Sequence, residues 1–158
     1  MSEFHLAYFS FGSNIEPEAN LPEAVKLLSE CGDVLKVSSV WESEPVGTAG
    51  RNYLNVCILF KATCTVDEMK EKIIHPIEAR LGRVRGEDKY AARSIDIDIV
   101  LFDGKPISED WYTLAYVVVP LAEIYPEFQN LITKEKIVET ATRLRREVWM
   151  ETRQGVLG

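Results

Sequence analysis

Two aspartates one residue apart, Asp96 and Asp98 in Ile95-Asp96-Ile97-Asp98-Ile99, are the side chains here best suited to chemistry. On an extended chain successive side chains face opposite ways, so the isoleucines bury on one side and both carboxylates emerge on the other. The two Cβ atoms then lie about 7 Å apart, two rises of the strand. Hard divalent cations take carboxylate oxygens and keep positions open for phosphate, which makes the pair a candidate metal site. Like charges this close repel, and bound cations offset the repulsion. Aspartate is also a poor strand former, so its repetition asks for a reason; the competing reading is the solvated outer face of a sheet.

Just upstream, Arg83, Arg85, Lys89 and Arg93 concentrate positive charge in a chain of net charge -7. Arg83 and Arg85 share i, i+2 spacing, so an extended backbone aims both guanidiniums one way, and arginine binds phosphate bidentately while staying charged. Basic residues beside paired carboxylates suit a metal-complexed polyphosphate; a solvated loop balanced by Glu87 and Asp88 is the alternative. Trp41, Tyr53, Asn55 and Tyr90 offer aromatic faces and an amide for a flat heterocycle, although the same residues also suit a sheet core. Glu78 and His75, one helical turn apart, read as surface or capping residues. No nucleophile paired with a base is legible, and Gly12-Ser13-Asn14 is too short for a Walker A loop. Phosphate chemistry here would rest on cations, arginines and positioning.

The elements that must position these groups alternate in period. His5 to Ser13 reads as an aromatic strand ended by a turn, and Leu21, Ala24, Val25, Leu27 and Leu28 as a helix starting at Asn20 and closed by Gly32. Val34 to Trp41 and Tyr53 to Phe60 read as strands, separated by a loop from Glu44 to about Asn52. Thr65 begins a helix that runs to Leu81 and is bent by Pro76. Ser94 to Phe102 is the clearest strand, with Asp103-Gly104 as its turn. Tyr116 to Val119 is expected as a short strand, Pro120 to Ile124 as a helical turn and Lys134 to Arg146 as the last helix. This order predicts an α+β, ferredoxin-like split β-α-β sandwich, with helices on one face of a mostly antiparallel sheet.

Composition sets bounds on the partners. The 158 residues, 46% hydrophobic and 27% charged, fit one domain spanning 1–158. A pI near 4.9 argues against nucleic acid or an anionic membrane as partner. Cys31, Cys57 and Cys64 lack metal-ligand or Cys-x-x-Cys spacing and read as reduced thiols of a cytoplasmic protein. The N-terminal stretch lacks the basic start and apolar core of a signal peptide, and no apolar run is long enough for a membrane span.

Several stretches together carry a resemblance: Phe11-Gly12-Ser13-Asn14, Ser38 to Gly47, Tyr53-Leu54-Asn55, Ile77-Glu78 with Leu81 to Arg85, Arg93 to Asp98, and Pro120-Leu121 with Glu123-Ile124 and Pro126. Their joint order resembles the 6-hydroxymethyl-7,8-dihydropterin pyrophosphokinases of folate biosynthesis, over roughly Ala7 to Phe128. The resemblance implies transfer of pyrophosphate from ATP to the pterin hydroxymethyl group, giving AMP. It implies Asp96 and Asp98 as ligands of two Mg²⁺ ions, with Arg83 and Arg93 as further catalytic groups. Glu78, Arg83, Arg85 and Arg93 would lie at the ATP side, and Ser43, Val46, Tyr53, Asn55, Tyr90 and Tyr116 around the pterin. Small-molecule substrates and a monomer are the expected partners and state.

The sequence departs from the family in one region. A Pro-His-x-x-Met-x-x-Arg-x-Phe type of segment, which supplies a His and an Arg to ATP, is replaced by the shorter Ile107 to Val119 with neither residue. Lys105 and Trp111 are the candidate substitutes. Two alternatives follow: a diverged, slow or non-catalytic pterin- or nucleotide-binding relative, and an unrelated ferredoxin-like interaction domain.

Overall fold

The aromatic run His5–Ser13 forms β1, the strand from which the sheet extends both ways. Its alternation buries Ala7, Phe9 and Phe11 on one face and sets Tyr8 and Ser10 on the other. The structure is a computed structural model that describes residues 3–45, 50–82 and 94–158. After β1 come α1 (Pro17–Ser29), β2 (Asp33–Val37), β3 (Val40–Ser43) and β4 (Tyr53–Ala62). A helical run follows, made of α2 (Val66–Met69), a π turn (Lys70–Ile74) and α3 (His75–Arg80). Then come β5 (Asp96–Phe102), β6 (Lys105–Pro106), a 3-10 turn (Asp110–Thr113), α4 (Ala115–Ile124), α5 (Ile137–Arg145) and β7 (Met150–Arg153). The sheet has seven strands in the order β6-β5-β1-β4-β3-β7, with β2 also paired to β4, and its pairings are antiparallel. The core order of β1, α1, β3, β4, α3 and β5 is the split β-α-β arrangement expected.

Helices cover both faces of the sheet, not one. Leu21, Ala24 and Leu28 of α1 join Met69, Ile73, Ile74 and Ile77 over Phe9, Phe11 and Phe60. Phe9 meets Phe11 and Phe60 with ring centroids 6.1 and 5.6 Å apart, and each such ring contributes about 1.5–3 kcal/mol by leaving water. On the other face α4 and α5 bring Val117, Val118, Leu121, Ile137 and Leu144 onto Tyr8, Cys57, Leu59 and Leu101.

Four other expectations are corrected. Helix α1 begins at Pro17, which presets its own φ at the first helical position, and Asn20 lies inside it, donating its side-chain N–H to the Ile15 carbonyl at 2.6 Å. Val34 to Trp41 is two strands, broken at Ser38, whose Oγ accepts the Cys57 N–H at 2.9 Å. Tyr116 to Val119 is helical: β-branched residues buried between a sheet and a second helix follow packing over propensity. Strand β7 was not anticipated; it is short, half charged, and paired along β3.

Pro76 acts through its missing N–H. The turn before it widens to π geometry, with the His75 N–H bonded to the Lys70 carbonyl. A π turn inserted before a proline re-aims the helix that follows. Here that helix, α3, turns Ile77 and Glu78 inward. Upstream, Thr65 and Glu68 form a reciprocal capping box that fixes the start of the run.

Candidate active site

Asp96, Gly12, Asn55 and Trp41 are register partners in one row across β5, β1, β4 and β3. With strands about 4.8 Å apart, the Asp96 and Asn55 backbones are separated by about 10 Å. Ile95, Ile97 and Ile99 are buried in the α1-side core, while Asp96 is half-buried and Asp98 exposed on the other face. Helices α4 and α5 cover the part of this face around Tyr8, Cys57 and Leu59. The alternation expected from the sequence is what the strand adopts.

Glu78 is not a surface residue. It is 3% exposed, and its Oε2 accepts the Ile97 N–H at 3.3 Å. That amide lies between the two aspartates, so α3 fixes the β5 backbone from which both carboxylates emerge. His75, by contrast, is exposed as expected.

Asn55, 2% exposed, donates from Nδ2 to Ser43 Oγ at 2.8 Å and to the Trp41 carbonyl at 3.2 Å. These bonds lock the amide plane. Tyr53 is half-buried and pairs in register with Ser43. Gly12 supplies the room: a Cβ there would stand 3.2 Å from Asn55 Oδ1 and 3.6 Å from the Tyr53 ring. Ser13 and Asn14 serve as ties. Ser13 Oγ donates to the Ser94 carbonyl at 2.6 Å, joining the end of β1 to the start of β5, and Asn14 Nδ2 donates to the Arg51 carbonyl at 3.3 Å.

Tyr116 is half-buried on α4 and packs against the second core. Two turns further along that helix, Glu123 accepts the Ser39 N–H at 3.2 Å, the Ser39 hydroxyl at 2.8 Å and the Trp41 indole N–H. This clamp seats α4 on β3. The Trp41 ring is therefore not part of an open aromatic slot: it is 8% exposed, and the Arg145 guanidinium lies 4.8 Å from its centroid. Burial, followed by the nearby Tyr125, pushes the Tyr8 phenol up to about 12. It stays protonated near neutral pH and offers no base.

Arg83, Arg85, Tyr90 and Arg93, with Lys89 and Val46, lie outside the described residues. Neither suggested substitute reaches the carboxylates. Trp111 is 6% exposed and packs on Tyr112 and Phe128, and Lys105 pairs with Phe102 at the far end of β5. Among the described residues no three His, Cys, Asp or Glu side chains converge as a metal cage, and no helix is long and apolar enough to cross a membrane. A cation at Asp96 and Asp98 would leave positions open for phosphate and water oxygens, the usual habit of magnesium. Sequence reasoning missed the Glu123 clamp, because its partners lie on distant segments, and the room made by Gly12.

A family model described as 7,8-dihydro-6-hydroxymethylpterin-pyrophosphokinase (HPPK) matches residues 8–126. The chain is 32% identical over 152 residues to the 2-amino-4-hydroxy-6-hydroxymethyldihydropteridine pyrophosphokinase of Bacillus subtilis, across 89% of this chain and 90% of that one. It is 33% identical over 150 residues to the enzyme of that name from Methylorubrum extorquens, across 87% and 92%. A crystal structure of wild-type Plasmodium falciparum HPPK-DHPS superposes with a TM-score of 0.70 at 12% identity, over 93% of this chain and 46% of that chain. This chain spans about half of that fusion, and at such identity the likeness bears on the fold alone. The matched span takes in Gly12, Asn55, Glu78, both aspartates and the departing segment, and the chain belongs to the 7,8-dihydro-6-hydroxymethylpterin-pyrophosphokinase family.

Proposed function

We propose that this chain transfers pyrophosphate from ATP to 6-hydroxymethyl-7,8-dihydropterin in folate biosynthesis, giving AMP and the pterin diphosphate. The observation that carries the reading is the row from Asp96 through Gly12 to Asn55. A locked amide at one end suits the edge of a bicyclic ring, and paired carboxylates at the other suit a metal-bound polyphosphate. Asn55, Ser43 and Tyr53 orient the ring with Val46, Tyr90 and Tyr116, turning its hydroxymethyl group toward β5. Glu78, Arg83, Arg85 and Arg93 serve the nucleotide side, Arg83 and Arg93 by holding the charge of the transferred group. The hydroxymethyl oxygen attacks the β-phosphorus and the bond from that phosphorus to the α,β-bridging oxygen breaks. AMP leaves with the bridging oxygen, and the hydroxymethyl proton passes to water. Asp96 and Asp98 hold two Mg²⁺ ions, which neutralise charge on the phosphates when bound. Alignment and charge neutralisation account for the catalysis in this type of transfer.

On this reading the chain is a single domain over 1–158, working in the cytoplasm as a monomer on small molecules, without a nucleic-acid or membrane partner. The test is AMP formation from ATP, Mg²⁺ and the pterin by the purified chain. Asp96→Asn and Asp98→Asn should each lower the rate by about 10²-fold or more, the scale of losing electrostatic stabilisation of the transferred group, with an unchanged circular dichroism spectrum. A near-wild-type rate for either variant at limiting Mg²⁺ would remove the metal assignment. Pterin binding without any AMP would make the chain a binding relative rather than an enzyme.

A further inference from the structure

Behind the cleft, on the α1 side of the sheet, four charged residues from separate segments converge. Arg153 of β7 donates from Nη1 to Glu42 Oε1 at 2.8 Å, and its Nη2 lies 3.5 Å from Glu18 Oε2. Arg51 Nη2 reaches both oxygens of Glu18, at 3.1 and 3.0 Å. Asn52 Nδ2 donates to Glu42 Oε2 at 2.9 Å. Glu42, with 23% of its side chain exposed, is the most enclosed member, and Arg153 follows at 39%. The Asn52 amide first, then Arg153, holds the Glu42 carboxyl below the usual carboxylate range.

The placement matters because of sequence neighbours. Glu42 directly precedes Ser43 on β3, and Arg51 and Asn52 directly precede Tyr53 on β4. Ser43 and Tyr53 are register partners, and Ser43 Oγ accepts the bond that orients Asn55. Arg153 therefore grips, through Glu42 and Glu18, both strand ends that present the amide side of the cleft. The aspartate side is held by other means, Glu78 on β5 and the β1 pairing. Arg153 also lies beyond residues 8–126 that the family model matches, so this support belongs to the chain's own C-terminal strand.

We infer that Arg153 is a positioning residue for pterin binding, acting through Glu42 and Glu18 on the ends of β3 and β4; the inference rests on the assignment of Ser43, Tyr53 and Asn55 to the pterin. Steady-state kinetics of the full chain with ATP, Mg²⁺ and 6-hydroxymethyl-7,8-dihydropterin test it. Arg153→Gln should raise the KM for the pterin about 3- to 10-fold, the range open to a small network of partly exposed ion pairs. Its kcat and its KM for ATP should stay within about twofold, because a uniform binding loss leaves kcat alone. Arg153→Lys should recover part of the pterin affinity. Combining Arg153→Gln with Glu42→Gln should add little to either alone, since both cut the same link. Equal rises in both KM values, a fall in kcat with the pterin KM unchanged, or full additivity with Glu42→Gln would each overturn it. Asn55→Ala separates the two layers. If that variant binds pterin normally, the cleft assignment fails and takes the inference with it; if it weakens pterin binding while Arg153→Gln does not, only the inference fails.

Discussion

At Gly12 the absence of a side chain leaves room beside Asn55 and Tyr53 of the proposed cleft. The residue lies midway in the row between Asp96 and Asn55, and a Cβ would press on Asn55 Oδ1 at 3.2 Å. Asn55 cannot yield freely, because its Nδ2 is already committed to Ser43 and Trp41. Gly12→Ala should therefore displace the amide by a few tenths of an ångström and raise the KM for the pterin about tenfold, equivalent to roughly 1.4 kcal/mol. The KM for ATP and the unfolding midpoint should change little, and a variant with unaltered pterin KM would show that the space above Gly12 is not used. The sequence disclosed the two aspartates through period-two alternation alone. It misassigned Glu78, because a carboxylate on a helix looks solvated until the π turn ahead of it is known. For Trp41 the sequence favours core over slot, and its partners Glu123 and Arg145 bear that out.

Among the elements, those with clean periodicity were legible: β1, β4, β5 and the capped start of α2 follow from alternation and from Thr65-x-x-Glu68. What failed did so for tertiary reasons. Helix α4 is apolar nearly all round and rich in valine, which reads as a strand until a helix is required to bridge sheet and α5. Strand β7 carries one glutamate and an arginine, and the arginine's partners lie on β3 and α1, so its pairing leaves no local pattern. Helix α4 also depends on one residue for its seat. Glu123→Ala removes the acceptor of the Trp41 indole N–H and of both Ser39 donors. Stranding a buried donor costs about 1–3 kcal/mol, so urea unfolding should show a loss of that size. Glu123→Gln, which keeps an acceptor, should lose less. Equal losses for the two substitutions would mean that charge rather than hydrogen bonding seats the helix. On the proposed assignment of Tyr116 to the pterin, the alanine variant should also weaken pterin binding, because Tyr116 rides on the same helix.

For the whole molecule, the direction of each perturbed ionisation sets how stability varies with pH. Carboxyls at Glu18, Glu42, Asp103 and Glu135 are held low in the folded state. Glu18 and Asp103 owe this first to backbone N–H bonds, Glu42 to Asn52, and Glu135 to Arg143. A carboxyl with a depressed folded pKa contributes stability that is present above its unfolded value and lost as pH falls through the folded one. With unfolded carboxyls near 4, the urea midpoint should therefore be flat from about pH 6 down to about pH 5 and then decline steeply. At the alkaline end the groups are buried acids held neutral. Burial raises Tyr8 to about 12 and pushes the Cys57 thiol up as well. Their unfolded forms ionise first, so the unfolded state binds fewer protons and stability falls as pH climbs past about 9. The growing negative charge of a chain already at -7 acts in the same direction. Among the described residues the Cys57 thiol is no member of the ion pairs that hold these carboxyls low, so Cys57→Ala should flatten the alkaline decline while leaving the acid limb in place. Glu42→Gln should do the reverse. A midpoint that rises between pH 5 and pH 3, or an alkaline limb indifferent to Cys57, would show that other groups govern the balance.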